Sequence, residues 1–124
     1  MKVLLSIKPE YAFKIFDGTK KFEFRKSLFK RRDIDKIIVY ASSPVQKVIG
    51  EFEMEGILHD DTEKVWNITK QASGITKRFY DEYFANKDKA FAIQVGMTKK
   101  YSLPKSLSDY NLNYAPQSFA YITF

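Results

Sequence analysis

The apolar positions of this chain fall into short runs whose period switches between two and nearly four, which predicts strands interleaved with a few helices. KVLLSI, residues 2–7, is apolar on both faces in its middle and reads as a central strand. Pro9 ends it and suits the first position of a helix, where its missing N–H has no partner, while Glu10 complements the positive helix end. Tyr11, Ala12, Ile15 and Phe16 make one buried face and Gly18 a left-handed stop, predicting a helix over residues 9–17. KKFEFRK follows with strict alternation, Phe22 and Phe24 inward and Lys21, Glu23 and Arg25 outward. DKIIVYAS is a second central strand. PVQKVIGEFEMEGIL is a long one, with Val48, Phe52, Met54 and Leu58 on one face and Glu51, Glu53 and Glu55 on the other. Gly50 and Gly56 on the apolar side point to the bulges of a curled sheet, and so to a small barrel.

Asp60 or Asp61 is placed to cap a helix through TEKVWNITKQAS, with Val65, Trp66, Ile68 and Ala72 inward and Gly74 at its end. In ITKRFYDEYF, Ile75, Phe79, Tyr80, Tyr83 and Phe84 recur at helical spacing and leave Lys77, Arg78, Asp81 and Glu82 for water. KAFAIQVGM is a strand that runs on into KKYSL, and APQSFAYITF closes the chain with an apolar, aromatic segment expected to pair within the sheet. No repeat or linker divides the 124 residues, so one domain over residues 1–124 is expected.

Composition narrows the chemistry. Cysteine is absent, which excludes a disulfide framework, thiolate metal sites and a cysteine nucleophile. The opening residues carry neither a secretory signal nor a membrane span, so a cytoplasmic protein with no membrane partner is expected. The net charge of +6 is uneven: residues 1–50 hold 12 Lys/Arg against 5 Asp/Glu, and residues 51–124 hold 9 against 10. A basic zone of this kind attracts a polyanion through counterion release, which makes RNA or a nucleotide the expected partner.

The candidate site residues lie in that zone. GTKKFEFRK sets Glu23 and Arg25 on one face of a strand, and RKSLFKRR beyond it concentrates Arg25, Lys26, Lys30, Arg31 and Arg32. Leu28 and Phe29 within that run anchor the loop to the core or stack on bases. Ser42 and Ser43, before Pro44, present hydroxyls and amides to a phosphate, or form an ordinary turn. His59 stands beside Asp60 and Asp61, but consecutive residues rarely converge on one ion; they read as a loop before a helix, and neither a metal nor a cofactor is expected. Tyr80, Tyr83 and Phe84 read first as core and second as a stacking platform. The chain has no phosphate-binding glycine loop and no G-x-S-x-G elbow.

LSIKPEYAFKIFDGTKKFEFRK, followed by IIVYASSPVQKVIGEFE and later by GITKRFYDEYF, KAFAI and PQSFAYI, resembles the ASCH domain over nearly the whole chain. The resemblance implies an α+β fold related to the PUA domain, a small curled, mostly antiparallel β-barrel with flanking short helices and a cleft beside the first helix. It also implies RNA or nucleotide binding, with hydrolysis of RNA or of an acylated nucleoside as the alternative. The family pattern G-x-K-x-x-E-x-R matches Gly18, Lys20, Glu23 and Arg25. Strict alternation places Lys20 on the phenylalanine side, but so soon after the glycine it is still in the turn and free to face the cleft. ASCH-like amidohydrolases carry a nucleophilic threonine where Glu23 stands, so the chain departs from that activity. The residues expected to bind are Lys8, Lys20, Glu23, Arg25, Ser42, Ser43, Arg31 and Arg32. In a metal-independent hydrolase, Lys20 and Glu23 would carry the proton transfers.

Overall fold

In the computed structural model, which describes residues 1–123, the strands and helices follow the order β1 (Lys2–Ile7), α1 (Pro9–Asp17), β2 (Phe22–Arg25), β3 (Lys36–Ala41), β4 (Lys47–Asp61), α2 (Thr62–Thr69), α3 (Lys77–Tyr83), β5 (Lys89–Lys105) and β6 (Phe119–Ile122). Short 3₁₀ turns occupy Lys70–Ala72 and Leu107–Tyr110. Pro9 opens α1, and Gly18 at φ 88° stops it by returning its amide to the Lys14 carbonyl. The closing segment pairs antiparallel with β1 through Phe119–Ile122; its last residue, Phe124, lies outside the described residues.

The fold is mixed α+β around one six-stranded sheet in the order β2-β5-β4-β3-β1-β6. Among the described residues, β1 and β3 run parallel and the other pairs are antiparallel. The barrel expected from the sequence is not closed by backbone hydrogen bonds, because β2 and β6 are free ends of the sheet. The sheet nevertheless curls far enough for its ends to meet through a side chain. Arg25 at the end of β2 donates from Nη2 to the Ser6 carbonyl of β1 at 3.0 Å, and Nη1 lies 3.5 Å from the Ser118 hydroxyl just before β6.

Alternation along β1 and β3 divides the core. Val3, Leu5, Ile37 and Val39 face α1, where they bury Ala12, Ile15 and Phe29. Leu4, Ile38 and Tyr40 face the other way, against Val48, Ile122 and Tyr110. A third cluster lies under α2 and α3, where Phe24, Val65, Tyr80, Phe84, Ala90 and Ala92 pack together. Phe29 is 1% exposed with its ring 6.0 Å from that of Phe119, so the basic loop is anchored to the core as one of the two readings held.

Four sequence expectations change. Val48 and Phe52 do not share a face: register shifts between Val48 and Gly50 and on to Gly56 turn the strand over, and the two residues enter different clusters. His59 is not in a loop, because β4 stays paired with β5 through Asp61 and the imidazole stacks on Phe91 at 3.9 Å. Asp61 does occupy the cap position of α2 but makes no capping bond; its carboxylate is held by Lys89 at 2.6 Å. Thr69, not Ile68, fills the inner face of α2. Its hydroxyl donates to the Val65 carbonyl at 2.8 Å, so burying it leaves no polar atom unpaired, while Ile68 is 61% exposed.

Gly50 shows why the long strand needs its glycines. A β-carbon there would lie 2.6 Å from the Lys99 carbonyl of β5 and 2.6 Å from Cζ of Phe16, which packs over it from α1. Gly50→Ala should therefore lower the unfolding free energy by about 1–3 kcal/mol, the usual cost of overpacking. Urea denaturation with an unchanged slope is the check, and an unshifted midpoint would mean that α1 does not sit this close.

Candidate functional site

The end of β1, α1, β2 and α3 meet around a cavity of about 160 Å³. Four of the residues singled out from the sequence, Lys8, Lys20, Glu23 and Arg25, line it together. The turn after α1 places one of them, Lys20. Asp17 accepts from both the amide and the hydroxyl of Thr19, at 2.9 and 2.7 Å, and the amides of Thr19 and Lys20 both donate to the Lys14 carbonyl at 3.1 Å. Lys20 precedes the regular pleat, so its side chain turns into the cleft. It is 2% exposed, and its ammonium donates to the Ser73 carbonyl at 2.8 Å while lying 4.8 Å from the centre of the Phe24 ring.

Glu23 and Arg25 take the face of β2 that alternation assigned to solvent. That face is covered instead: Glu23 is 7% exposed, and its carboxylate pairs with Arg25 Nη2 at 3.1 Å. The reason is the curl of the sheet, which brings β1 and the segment before β6 over the outer side of β2. With Nη2 shared between Glu23 and Ser6, the Nε–H of Arg25 is left buried with no partner among the described residues. A buried donor of this kind costs free energy until something accepts from it.

The remaining wall is aromatic, and the sequence pattern alone does not mark it. The stripe of α3 splits: Tyr80 and Phe84 enter the core, whereas Phe79 and Tyr83 line the cavity opposite Tyr11. Thr76 sets this rotation by accepting from the Phe79 amide at 3.0 Å as the N-cap of α3. The Tyr11 and Phe79 rings lie 5.2 Å apart. Helical spacing alone could not separate the two halves of the stripe, because both are apolar. Two cations sit over the rim, Lys8 5.9 Å from the Phe79 ring and Lys26 4.7 Å from the Tyr83 ring.

Ser42, Ser43, Arg31 and Arg32 do not line this cavity. Ser42 is held in a turn, its amide donating to the Ile7 carbonyl at 2.9 Å and its carbonyl accepting from Val45 at 3.1 Å. Arg31 is committed to a two-bond pair with Asp33, at 2.7 and 3.0 Å, and Arg32 donates to the Phe29 carbonyl.

Burial dominates the electrostatics of Lys20. It pushes the amine down to about 8; Glu23 opposes the shift, and Lys14 and Arg25 add to it. The ammonium is thus mostly charged at neutral pH, with a proton far more easily given up than that of a surface lysine. Burial also raises the Tyr83 phenol, which stays neutral.

Comparison with known proteins gives the arrangement a context. The profile of the ASCH domain matches residues 5–99. The large ribosomal subunit protein uL22 of Ureaplasma parvum is 34% identical over 123 residues, a match that takes in 97% of this chain and 39% of that protein. The chain therefore spans well under half the length of that curated relative. An ASCH domain-containing ribonuclease from Zymomonas mobilis is 31% identical over 91 residues, covering 73% of this chain and 62% of the relative. The crystal structure of an ASCH protein from Zymomonas mobilis superimposes with a TM-score of 0.90 at 27% identity, covering 98% of this chain and 87% of that one.

The buried lysine makes a prediction with a definite sign. Its value is about 8 when folded and 10.5 when unfolded, so between those limits the unfolded chain holds the extra proton. Stability contributed by this group rises with pH through that window, and the cost of the buried charge is fully present below it. In urea unfolding, the wild type should gain stability relative to Lys20→Met between about pH 7 and about pH 9.5. A constant difference would place the ammonium in water.

Proposed function

The chain belongs to the ASCH domain family, and from that premise we propose that its cleft binds RNA, seating one nucleotide of a single strand. The observation that carries this reading is the convergence of Lys20, Glu23 and Arg25 on one small cavity walled by Tyr11, Phe79 and Tyr83. Rings supply stacking surface for a base, the Glu23 carboxylate accepts from an exocyclic amine or a sugar hydroxyl, and the Arg25 guanidinium beside it supplies positive charge for a carbonyl or phosphate oxygen. Lys8 and Lys26 on the rim supply charge for the flanking phosphates. The ribonuclease relative supports RNA as the polyanion. One domain across residues 1–124, acting in the cytoplasm, is part of the same proposal.

A second reading, cleavage of the bound strand, is favoured by the depressed amine of Lys20 beside a carboxylate. RNA carries its own nucleophile, so no serine, threonine or cysteine is required. The 2′-hydroxyl attacks phosphorus as Glu23 takes its proton, and Lys20 protonates the departing 5′-oxygen. A 2′,3′-cyclic phosphate and a 5′-hydroxyl result. Glu23 must be released from Arg25 for this step, which is why binding stands first and cleavage second.

Two variants separate the readings. Lys20→Met should weaken binding of a fluorescein-labelled, mixed-sequence single-stranded RNA about tenfold or more at neutral pH, the scale of one charge-assisted contact. Wild-type binding should itself fall as pH rises through about 8 and the ammonium is lost. Glu23→Gln keeps shape and removes charge. In a binding module it changes affinity modestly and neither protein cleaves the probe; in a ribonuclease it binds nearly normally and turnover falls about 10²–10⁴-fold. Unchanged RNA affinity in Lys20→Met would remove the cleft from the account.

A further inference from the structure

The turn that receives the Lys20 ammonium joins α2 to α3, and its three successive carbonyls all accept from the α1–β2 segment. Ala72 O takes the Lys21 amide at 2.8 Å, Ser73 O takes Lys20 Nζ at 2.8 Å, and Gly74 O takes Lys14 Nζ at 3.2 Å. The turn also holds its own shape. Ser73 is 2% exposed, and its hydroxyl donates to the Ile75 carbonyl at 2.9 Å while lying 3.3 Å from the Ile75 amide.

Gly74 has φ 71°, and a β-carbon there would lie 2.6 Å from Lys20 Cβ, 2.7 Å from Cγ and 3.0 Å from Cδ. The stem of the lysine lies flat against the one residue of the turn that has no side chain. Gly18 is the other glycine at positive φ among the described residues, at 88°, and a β-carbon there would meet nothing within 4 Å. The two glycines share a backbone demand, and only Gly74 touches the site.

We propose that the Ala72–Ser73–Gly74 turn is a positioning element of the cleft: Gly74 leaves the slot in which the Lys20 stem lies, and the Ser73 carbonyl aims its ammonium into the cavity. Because the turn runs directly into α3 through Thr76, it sets the cationic floor and the Phe79–Tyr83 wall together. The charged and titratable groups facing Lys20 are Glu23 and Arg25 from β2 and Lys14 and Tyr11 from α1, and substitution at Gly74 removes none of them. The functional meaning of this device rests on the RNA reading; its test has an arm that needs no RNA.

That arm is the titration of Lys20 by competitive labelling with trace acetic anhydride, read by peptide mass spectrometry in the wild type, Gly74→Asn and Gly18→Asn. Asparagine tolerates left-handed backbone, so it isolates the β-carbon contact from backbone strain. Gly74→Asn should displace the stem toward water and move the Lys20 midpoint from about 8 toward 10.5, whereas Gly18→Asn leaves it in place. The same Gly74 variant should bind the labelled single-stranded RNA about tenfold more weakly at neutral pH. A midpoint at or below about 8 in folded Gly74→Asn overturns the proposal, and so does an equal shift in Gly18→Asn. A raised midpoint with unchanged RNA affinity upholds the turn's hold on Lys20 and rejects the RNA reading instead. Should Gly74→Asn fail to fold, Lys20→Met tests the link in reverse: hydrogen exchange at the Lys21 and Ile75 amides should quicken about tenfold. Unchanged exchange there overturns the proposal.

Discussion

One half-buried guanidinium determines how the sheet ends, and the cleft follows from it. A strip of six strands has two free ends, and closing it by backbone pairing would fill the space between them. Arg25 joins the ends by a side chain instead, reaching from β2 to the Ser6 carbonyl of β1 and toward Ser118 before β6. A gap is left beside the junction, and that gap is the cavity. The junction puts a charge out of water, which is tolerable because Glu23 sits 3.1 Å away and the Ser6 carbonyl accepts a second bond. The compensation is incomplete at Nε.

The second constraint is the desolvation of Lys20, which ties the front of the molecule together. Its ammonium can be buried only because Ser73 supplies a carbonyl and the faces of Phe24 and Tyr11 lie 4.8 and 5.6 Å away. Each of these partners belongs to a different part of the chain: the turn before α3, β2 and α1. The same lysine that carries the positive charge on the floor of the cavity also links its walls. A cationic floor, one carboxylate and three rings suit a ligand that is at once anionic, planar and rich in donors and acceptors.

The backbone was legible in the sequence where local chemistry decided it. Pro9 and Gly18 delimit α1 by φ preference alone, and the doubly apolar runs at 2–7 and 36–41 identify the two strands that lie side by side in the sheet. The family pattern together with the position of the helix stop singles out Lys20, Glu23 and Arg25, which the fold sets around one cavity. What stayed hidden depended on contacts distant in sequence. Glu23 and Arg25 look solvated until the sheet curls over them, Val48 and Phe52 look alike until bulges turn the strand, and Phe79 and Tyr83 look like core until Thr76 sets the rotation of α3. The 72–74 turn carries no signal beyond Gly74, because its contacts with α1 and β2 are made by carbonyl groups that every residue possesses.

The most direct test of the central claim is photo-crosslinking of the full chain to single-stranded RNA bearing one thiouridine, with the crosslinked peptides identified by mass spectrometry. The account predicts crosslinks on the rings that wall the cavity, at Tyr11, Phe79 or Tyr83. Crosslinks confined to the basic loop around Lys30 and Arg31, or to the Lys99 and Lys100 stretch of β5, with the three rings unmodified, would contradict it.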